Sequence, residues 1–204
     1  MKEGYIPKEQ RKNILLLTDD IRFTSGVGNV GKEIVLHTAH CYNWYNIGAA
    51  MRHPDQGKIF DLSEEIEIEN TELNEKYDII ICLAVLEHVY NPFIAVKNLR
   101  KMLKKNGVIY GYVPFLYHYH APENLYFQDY YRFSKDGLAY LFREFHNLKL
   151  YPVRGRLSSS MHILFGSIWK RTFEKYNLNP ILDGFFSKDK NFKQTGGFNF
   201  IAVK

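Results

Sequence analysis

Residues 77–92 read YDIIICLAVLEHVYNP, and this stretch decides the fold. Its first nine residues form a nearly continuous apolar run rich in isoleucine, which is typical of a parallel strand buried on both faces. Asn91 and Pro92 then provide an N-cap and a first-turn residue, so the sequence predicts a helix that runs through Lys105. A buried strand followed at once by a helix is the repeating unit of α/β folds.

The helix that follows this strand has an apolar face and a basic end. Four apolar residues recur at helical spacing and are expected to point inward: Phe93, Val96, Leu99 and Leu103. Three cations are expected in the last turn: Lys101, Lys104 and Lys105. Because cations there complement the helix dipole, this basic cluster requires no nucleic-acid partner.

Strands and helices alternate along the rest of the chain. Short apolar runs predict strands at residues 13–17, 43–50, 59–62, 108–113, 148–153 and 198–203. Helical patterns lie at residues 32–42 and 134–145, with a weaker one at 162–176. This order predicts a single Rossmann-like, doubly wound α/β domain over residues 1–204, with a mainly parallel sheet and an antiparallel C-terminal strand.

The composition excludes several classes of protein. Hydrophobic residues make up 46% of the 204 residues, which argues against a disordered chain. The net charge of +5 is too small to indicate nucleic-acid binding, and no apolar run reaches the length of a membrane helix. The N-terminus has no apolar signal segment, and Cys41 and Cys82 are too few for a disulfide framework. We therefore expect a cytoplasmic protein with reduced, buried thiols.

A glycine-rich segment separates the first predicted strand from the first predicted helix. Gly26, Gly28 and Gly31 form a GxGxxG pattern, and in an open α/β sheet ligands bind beyond the carboxyl ends of the strands. Glycines let the backbone approach a ligand closely, and a helix N-terminus presents unpaired N–H groups to an anion. A turn that only packs the helix against the sheet is the alternative interpretation.

The central stretch also carries a family resemblance. Residues 77–92, read with Asn106-Gly107 and Val113-Pro114, resemble the second half of a class I S-adenosylmethionine-dependent methyltransferase. Residues 114–142, PFLYHYHAPENLYFQDYYRFSKDGLAYLF, are similar to one branch of that family. The resemblance covers roughly residues 58–145 and implies methyl transfer to a small-molecule or glycan-related acceptor.

The resemblance implies a role for several residues around S-adenosylmethionine. Those expected to bind the cofactor are Gly26, Gly28, Asp61 (near the adenine), Leu83, Ala84 and Glu87. Those expected to line the acceptor pocket are Tyr130, Tyr131 and Arg132, and the catalytic candidates are His88 and His120. Methyl transfer needs alignment and removal of a proton, so no metal is expected. A metal site built from His118, His120 and Glu123 is an alternative.

The N-terminal part departs from that family. Residues 15–35, LLLTDDIRFTSGVGNVGKEIV, look more like the opening of a GT-B glycosyltransferase. We therefore divide the domain into an atypical portion, residues 1–57, and a methyltransferase-like portion, residues 58–204. Two further functions stay open at this point: a nucleotide-sugar-binding fragment, and an accessory module that keeps the fold without the cofactor.

Overall fold

The structure, a computed structural model, describes residues 4–19, 21, 25–49, 62–64, 67–121, 128–169, 176, 178–186 and 194–204. Six strands lie within these residues: β1 (Lys12–Asp19), β2 (Tyr42–Ala49), β3 (Tyr77–Leu83), β4 (Leu103–Pro114), β5 (His146–Val153) and β6 (Gly197–Val203). The α-helices within them are α1 (Gly26–Thr38), α2 (Pro92–Met102), α3 (Lys135–Leu141), α4 (Arg156–Trp169) and α5 (Asn179–Phe186).

All six strands belong to one sheet with the order β2-β1-β3-β4-β6-β5. Strands β2, β1, β3 and β4 pair in parallel, whereas β6 pairs antiparallel with both β4 and β5. This confirms the predicted α/β fold with a mainly parallel sheet and an antiparallel C-terminal strand, β6. The chain moves outward from β1 to β2 and then continues on the other side of β1 with β3. The carboxyl ends of β1 and β3 therefore meet where the topology reverses, which is where such sheets bind ligands.

Strands β1 and β3 are buried because both of their faces are covered. Residues 14–17 of β1 are at most 2% exposed, and Ile80 and Cys82 of β3 are fully buried. Burial raises the pKa of the Cys82 thiol, which keeps it protonated and unreactive. The predicted reduced state fits both cysteines, which are free, but Cys41 is only partly buried.

Helix α1 begins earlier than the sequence pattern predicts. Ser25 caps it by accepting a hydrogen bond from the Gly28 N–H at 2.8 Å, so residues 26–31 form its first turns instead of a loop. The predicted start at Lys32 is wrong because this serine cap outweighs the low helix propensity of the glycines. A Cβ added at Gly31 would lie 3.1 Å from a methyl carbon of Leu16, so this glycine lets α1 approach β1 closely.

Helix α2 ends earlier than predicted. It stops at Met102 because Leu103 already pairs with Tyr77 of β3, and the predicted end at Lys105 is wrong. Lys104 consequently lies in β4, where its ammonium contacts Asp78 at 2.8 Å. Asn106 follows with a φ of 61°, the left-handed conformation that asparagine tolerates in turns.

The inward face of α2 also differs from the prediction at one position. Val96 and Leu99 are buried as expected, but Phe93 is 48% exposed. Its ring contacts the Tyr140 ring of α3 edge-on, with centroids 5.7 Å apart, because the first turn of α2 lies beside α3 at the surface. Phe93 therefore belongs to a surface contact instead of the core.

The C-terminal elements follow the predicted order with shifted ends. Ser134 caps α3 as predicted, but the helix ends at Leu141, and Phe142 and Phe145 are buried in the turn that follows. Helix α4 overlaps the weak helical pattern and has non-helical backbone at Gly166. The predicted strand at residues 59–62 lies outside the described residues, apart from Leu62. Within the described part of the chain, no helix has both the length and the apolar character needed to cross a membrane.

Candidate active site

The carboxyl end of β3 leads into the candidate site through a left-handed residue. Ala84 has a φ of 53°, which costs a residue with a Cβ about 1 kcal/mol. Its N–H donates to the Tyr112 carbonyl of β4 at 3.0 Å, which holds the chain in this conformation. The 3₁₀ turn Leu86–His88 follows directly, so it stands at the carboxyl edge of the sheet.

Glu87 is fully buried in this turn. Its backbone carbonyl accepts hydrogen bonds from the N–H groups of Tyr130 at 2.8 Å and Tyr131 at 3.2 Å, which attaches the loop after β4 to the turn. Among the described residues, neither carboxylate oxygen accepts a hydrogen bond. Oε1 lies 3.7 Å from Nε2 of His120 and 3.9 Å from Nε2 of His88, so the carboxylate faces two imidazoles.

The two imidazoles are oriented by contacts on their other nitrogen. Nδ1 of His88 lies 2.8 Å from the Gln128 carbonyl, so it carries a proton and donates. Nδ1 of His120 lies 3.1 Å from Oδ2 of Asp129, which also accepts the His120 backbone N–H at 2.9 Å. The ring centroids are 4.8 Å apart in an edge-on arrangement. Both Nε2 atoms therefore point toward Glu87.

Arg132 holds the loop after β4 in place. Its guanidinium donates to both oxygens of Asp129 and to the backbone carbonyls of Tyr117, His118 and Tyr131. A bidentate arginine–carboxylate pair is among the strongest charge-assisted contacts in proteins. We call this contact the Asp129–Arg132 pair. It fixes the carboxylate that orients the His120 ring.

The charges in the site shift two pKa values in opposite directions. Burial acts to raise the pKa of Asp129, but hydrogen bonds from the Arg132 guanidinium and the His120 N–H outweigh it and lower the pKa to about 2. Glu87 raises the pKa of His120 above its usual range, with burial opposing and Asp129 assisting. The 3.7 Å between His120 and Glu87 exceeds hydrogen-bond length, so the attraction is electrostatic and forms a close ion pair when the imidazole is protonated.

A model of the methyltransferase domain family matches residues 23–151, which include this site and the glycine-rich start of α1. This chain belongs to that family. The match covers more than half of the chain, including residues 23–35 of the N-terminal segment that resembles a GT-B glycosyltransferase. That second resemblance stays a prediction.

Individual relatives of this methyltransferase domain are distant. The ubiquinone biosynthesis O-methyltransferase of Histophilus somni is 31% identical over 67 residues, which are 30% of this chain and 28% of that protein. A SAM-dependent methyltransferase from Archaeoglobus fulgidus is similar in structure over 96% of this chain and 87% of its own, with 10% identity and a TM-score of 0.56.

A third relative was solved with ligands bound. The phosphoethanolamine N-methyltransferase 2 of Haemonchus contortus, in complex with phosphomonomethylethanolamine and S-adenosylhomocysteine, is similar over 100% of this chain and 51% of its own. The identity is 13% and the TM-score 0.53. At such low identities these likenesses show the fold alone, which is that of S-adenosylmethionine-dependent methyltransferases.

The methyltransferase domain brings three of the predicted site residues together: Glu87, His88 and His120. Tyr130 and Tyr131 lie beside them with rings 48% and 37% exposed, and the Tyr131 hydroxyl donates to the Tyr90 carbonyl at 2.9 Å. Arg132 was predicted to line the acceptor pocket, and that role stays a prediction. In the structure its guanidinium donates to Asp129 and to backbone carbonyls, so Arg132 also has a structural role.

The predicted cofactor residues lie at the carboxyl ends of the central strands. Leu83 is buried and Ala84 is half-buried at the end of β3. Gly26 and Gly28 lie in the first turn of α1, which follows β1. Asp61 lies outside the described residues, so its predicted contact with the adenine stays a prediction.

Two residues of the site were missed from the sequence. Asp129 precedes the predicted acceptor residues, and its position inside the quoted DYYRF motif was a signal that could have identified it. His162 of α4 is buried, and its ring lies 5.1 Å from Tyr117 and 5.3 Å from His118. No local pattern identifies it, because only the packing of α4 brings it there. Glu123, from the alternative metal site, lies outside the described residues.

Proposed function

We propose that this domain transfers a methyl group from S-adenosylmethionine to the oxygen of a small-molecule or glycan-related acceptor. The observation that carries the proposal is the buried Glu87 facing two imidazoles at the carboxyl edge of a methyltransferase-family sheet. The O-methyltransferase named among the relatives supports an oxygen acceptor. An imidazole is also a suitable group to remove a hydroxyl proton near neutral pH.

The residues at the ends of β1 and β3 fit the cofactor. Thr18 is fully buried at the end of β1, and its hydroxyl has no hydrogen-bond partner among the described residues. An unpaired buried hydroxyl at a strand end is a group that a bound ligand can satisfy. A Cβ added at Gly26 would meet no atom within 4 Å, so the first turn of α1 leaves room beside the backbone. Leu83 and Ala84 would contact the cofactor from β3.

The bound cofactor supplies an activated methyl group on a sulfonium, and the protein aligns the acceptor and handles its proton. His88 and His120 are the proposed catalytic residues. Either Nε2 accepts the hydroxyl proton as the acceptor oxygen attacks the methyl carbon, while Glu87 stabilises the imidazolium that forms. Tyr130 and Tyr131 would cover the acceptor from the loop after β4.

Three ligands separate the candidate functions in one calorimetric titration. Binding of S-adenosylhomocysteine, with no response to a UDP-sugar or to NAD, is the result expected for a methyltransferase. Binding of the UDP-sugar alone would instead support the glycosyltransferase-related function. No response to any of the three would support an accessory module and overturn the proposal.

Asp61→Ala is expected to weaken S-adenosylhomocysteine binding by roughly tenfold or more, because a hydrogen bond to a charged group contributes about 1.5–3 kcal/mol. Asp136→Ala is the matched control, since the side chain of Asp136 is exposed in the first turn of α3. Equal affinities for the wild type and the Asp61 variant would remove Asp61 from the cofactor site.

Substitutions at two glycines of α1 separate an effect on cofactor binding from an effect on packing. Gly26→Ala should leave stability unchanged or raise it by about 0.5 kcal/mol, because its Cβ meets no neighbour, yet weaken S-adenosylhomocysteine binding. Gly31→Ala should lower the free energy of unfolding by about 1 kcal/mol, because its Cβ would press on Leu16 and Thr18 at 3.1 Å. Urea unfolding and calorimetry give the two readouts. Unchanged binding by the Gly26 variant would show that the cofactor does not approach this turn.

A further inference from the structure

We infer that Glu87, His88 and His120 form a binding site for a divalent transition-metal ion. Each residue offers one ligand atom, and the three atoms lie within 4.8 Å of one another. The inference rests on the proposed function, because the ion would lie beside the methyl donor and act on the acceptor. It differs from the metal site considered from the sequence, which joined His120 to His118 and Glu123.

The separations of the ligand atoms suit a tetrahedral ion. Oε1 of Glu87 lies 3.7 Å from Nε2 of His120 and 3.9 Å from Nε2 of His88. Zinc bonds of about 2.0–2.1 Å place tetrahedral ligand atoms roughly 3.3 Å apart. Binding therefore requires Oε1 to approach each Nε2 by about 0.5 Å. The three ligand atoms all lie within 4.8 Å of one another, so the two imidazole nitrogens approach by at most about 1.5 Å. Octahedral geometry with similar bonds needs about 2.9 Å, a larger contraction.

The Glu87 carboxylate is the first observation that points to a cation. The side chain is 0% exposed, and no described residue donates a hydrogen bond to either oxygen. A carboxylate removed from water without hydrogen bonds is costly, and buried charges in proteins are paired or bind metals. A metal ion between Glu87 and the two imidazoles would offset this cost.

The imidazole tautomers are the second, independent observation. His88 donates through Nδ1 to the Gln128 carbonyl. Nδ1 of His120 lies 3.4 Å from the His118 carbonyl and 3.1 Å from Oδ2 of Asp129, and these two acceptors favour a proton on this nitrogen. In the neutral rings each Nε2 then carries a lone pair, and both lone pairs face an oxygen of Glu87. Such an arrangement is repulsive unless a cation, either a second proton on a ring or a metal ion, lies between the atoms. Metal-binding histidines characteristically donate their second ring nitrogen to a carboxylate or a carbonyl in this way.

Three protein ligands leave one position of a tetrahedral ion open. Two histidines and one glutamate form a ligand set known for catalytic zinc, in which the fourth position holds water or substrate. An acceptor hydroxyl bound there would lose its proton more readily, because the ion stabilises the oxyanion. The proton would then pass to solvent water, because the Nε2 lone pairs of both imidazoles would be bound to the ion. This chemistry fits acceptors that present a single hydroxyl to the open position.

Cobalt is the probe that tests the site. The full chain is stripped with a chelator and titrated with Co²⁺, whose visible absorption is intense only in four- or five-coordinate sites, and Zn²⁺ is then added as competitor. We expect one Co²⁺ per chain and its displacement by Zn²⁺. Glu87→Gln and His120→Asn should each weaken binding by at least about 100-fold, because each removes a direct ligand. His37→Asn, an exposed histidine on α1, should leave binding unchanged.

Two results would overturn the metal site. One is the absence of stoichiometric Co²⁺ binding by the wild-type chain, and the other is an equal affinity for Co²⁺ in the Glu87→Gln variant and the wild type. If a variant fails to fold, the wild-type titration decides alone. A separate titration with S-adenosylhomocysteine keeps the two proposals apart. Binding of S-adenosylhomocysteine without binding of Co²⁺ would contradict the metal site and support the methyltransferase function. Binding of Co²⁺ without binding of S-adenosylhomocysteine would contradict the methyltransferase function and support the metal site.

Discussion

Arg132→Met is expected to lower the free energy of unfolding by about 3 kcal/mol at neutral pH. The side chain of Asp129 is 0% exposed, and the guanidinium of Arg132 donates to both of its oxygens. Methionine keeps most of the volume of the arginine stem but leaves the carboxylate buried without its main partner. The donors to the Tyr117 and His118 carbonyls are lost as well. Urea unfolding of the two proteins measures the difference.

The difference between the two proteins should depend on pH in a defined direction. The pKa of Asp129 is lowered from 3.8 to about 2 in the folded protein. A group with a lowered pKa stabilises the fold above its unfolded pKa, and this contribution is lost as the pH falls through its folded pKa. The loss of unfolding free energy caused by Arg132→Met should therefore have its full value at neutral pH and become smaller between about pH 4 and pH 2. His120 is protonated in both states over that range and does not interfere.

Two variants serve as controls for Arg132. Arg132→Lys keeps the charge and loses the bidentate geometry, so its effect should be smaller than that of methionine. Arg143→Met changes an arginine at the surface beside Tyr140 and should alter stability by no more than about 0.5 kcal/mol. Equal losses in the Arg132 and Arg143 variants, or a difference that stays constant down to pH 2, would contradict the role assigned to the Asp129–Arg132 pair.

Gly111→Ala is the second substitution with a large expected effect. Gly111 lies in β4, and an added Cβ would lie 2.6 Å from Cε1 of the Phe200 ring and 2.5 Å from the Cys82 carbonyl oxygen. Phe200 is fully buried, and its ring packs against Phe142 with centroids 4.7 Å apart. Because the carbonyl belongs to the backbone of β3, neither neighbour can move aside easily. We expect a loss of about 2–3 kcal/mol in the free energy of unfolding.

A compensating change tests this explanation. Phe200→Leu removes the ring that the new methyl group would meet, so the double variant should recover part of the stability lost by Gly111→Ala. Gly184→Ala in α5 is the matched control, because its Cβ would meet no atom within 4 Å. If the double variant loses as much unfolding free energy as the two single variants lose in sum, crowding between these residues is not the cause.

Strands and helices could be predicted from the sequence where interactions between residues close in sequence determine them. The apolar run of β3 and the caps Asn91 and Ser134 act within a few residues, and the structure places a strand and two helices where they predict. The ends of the helices were not predictable in the same way. Helix α2 ends at Met102 because Leu103 pairs with a strand 26 positions earlier in the chain, at Tyr77. Such pairing is a tertiary contact that no local pattern reports.

By itself, the sequence determined the α/β fold class and predicted Glu87, His88 and His120 as candidate site residues. It could do so because strand and helix periodicity, capping residues and short motifs are properties of neighbouring residues. Only the tertiary structure decided that the three side chains converge. The loop after β4 folds back so that His120 reaches Glu87, 33 positions earlier, and the Gln128 carbonyl reaches His88. The same folding engages Arg132 with Asp129, because a buried carboxylate requires a partner wherever the chain brings one within reach.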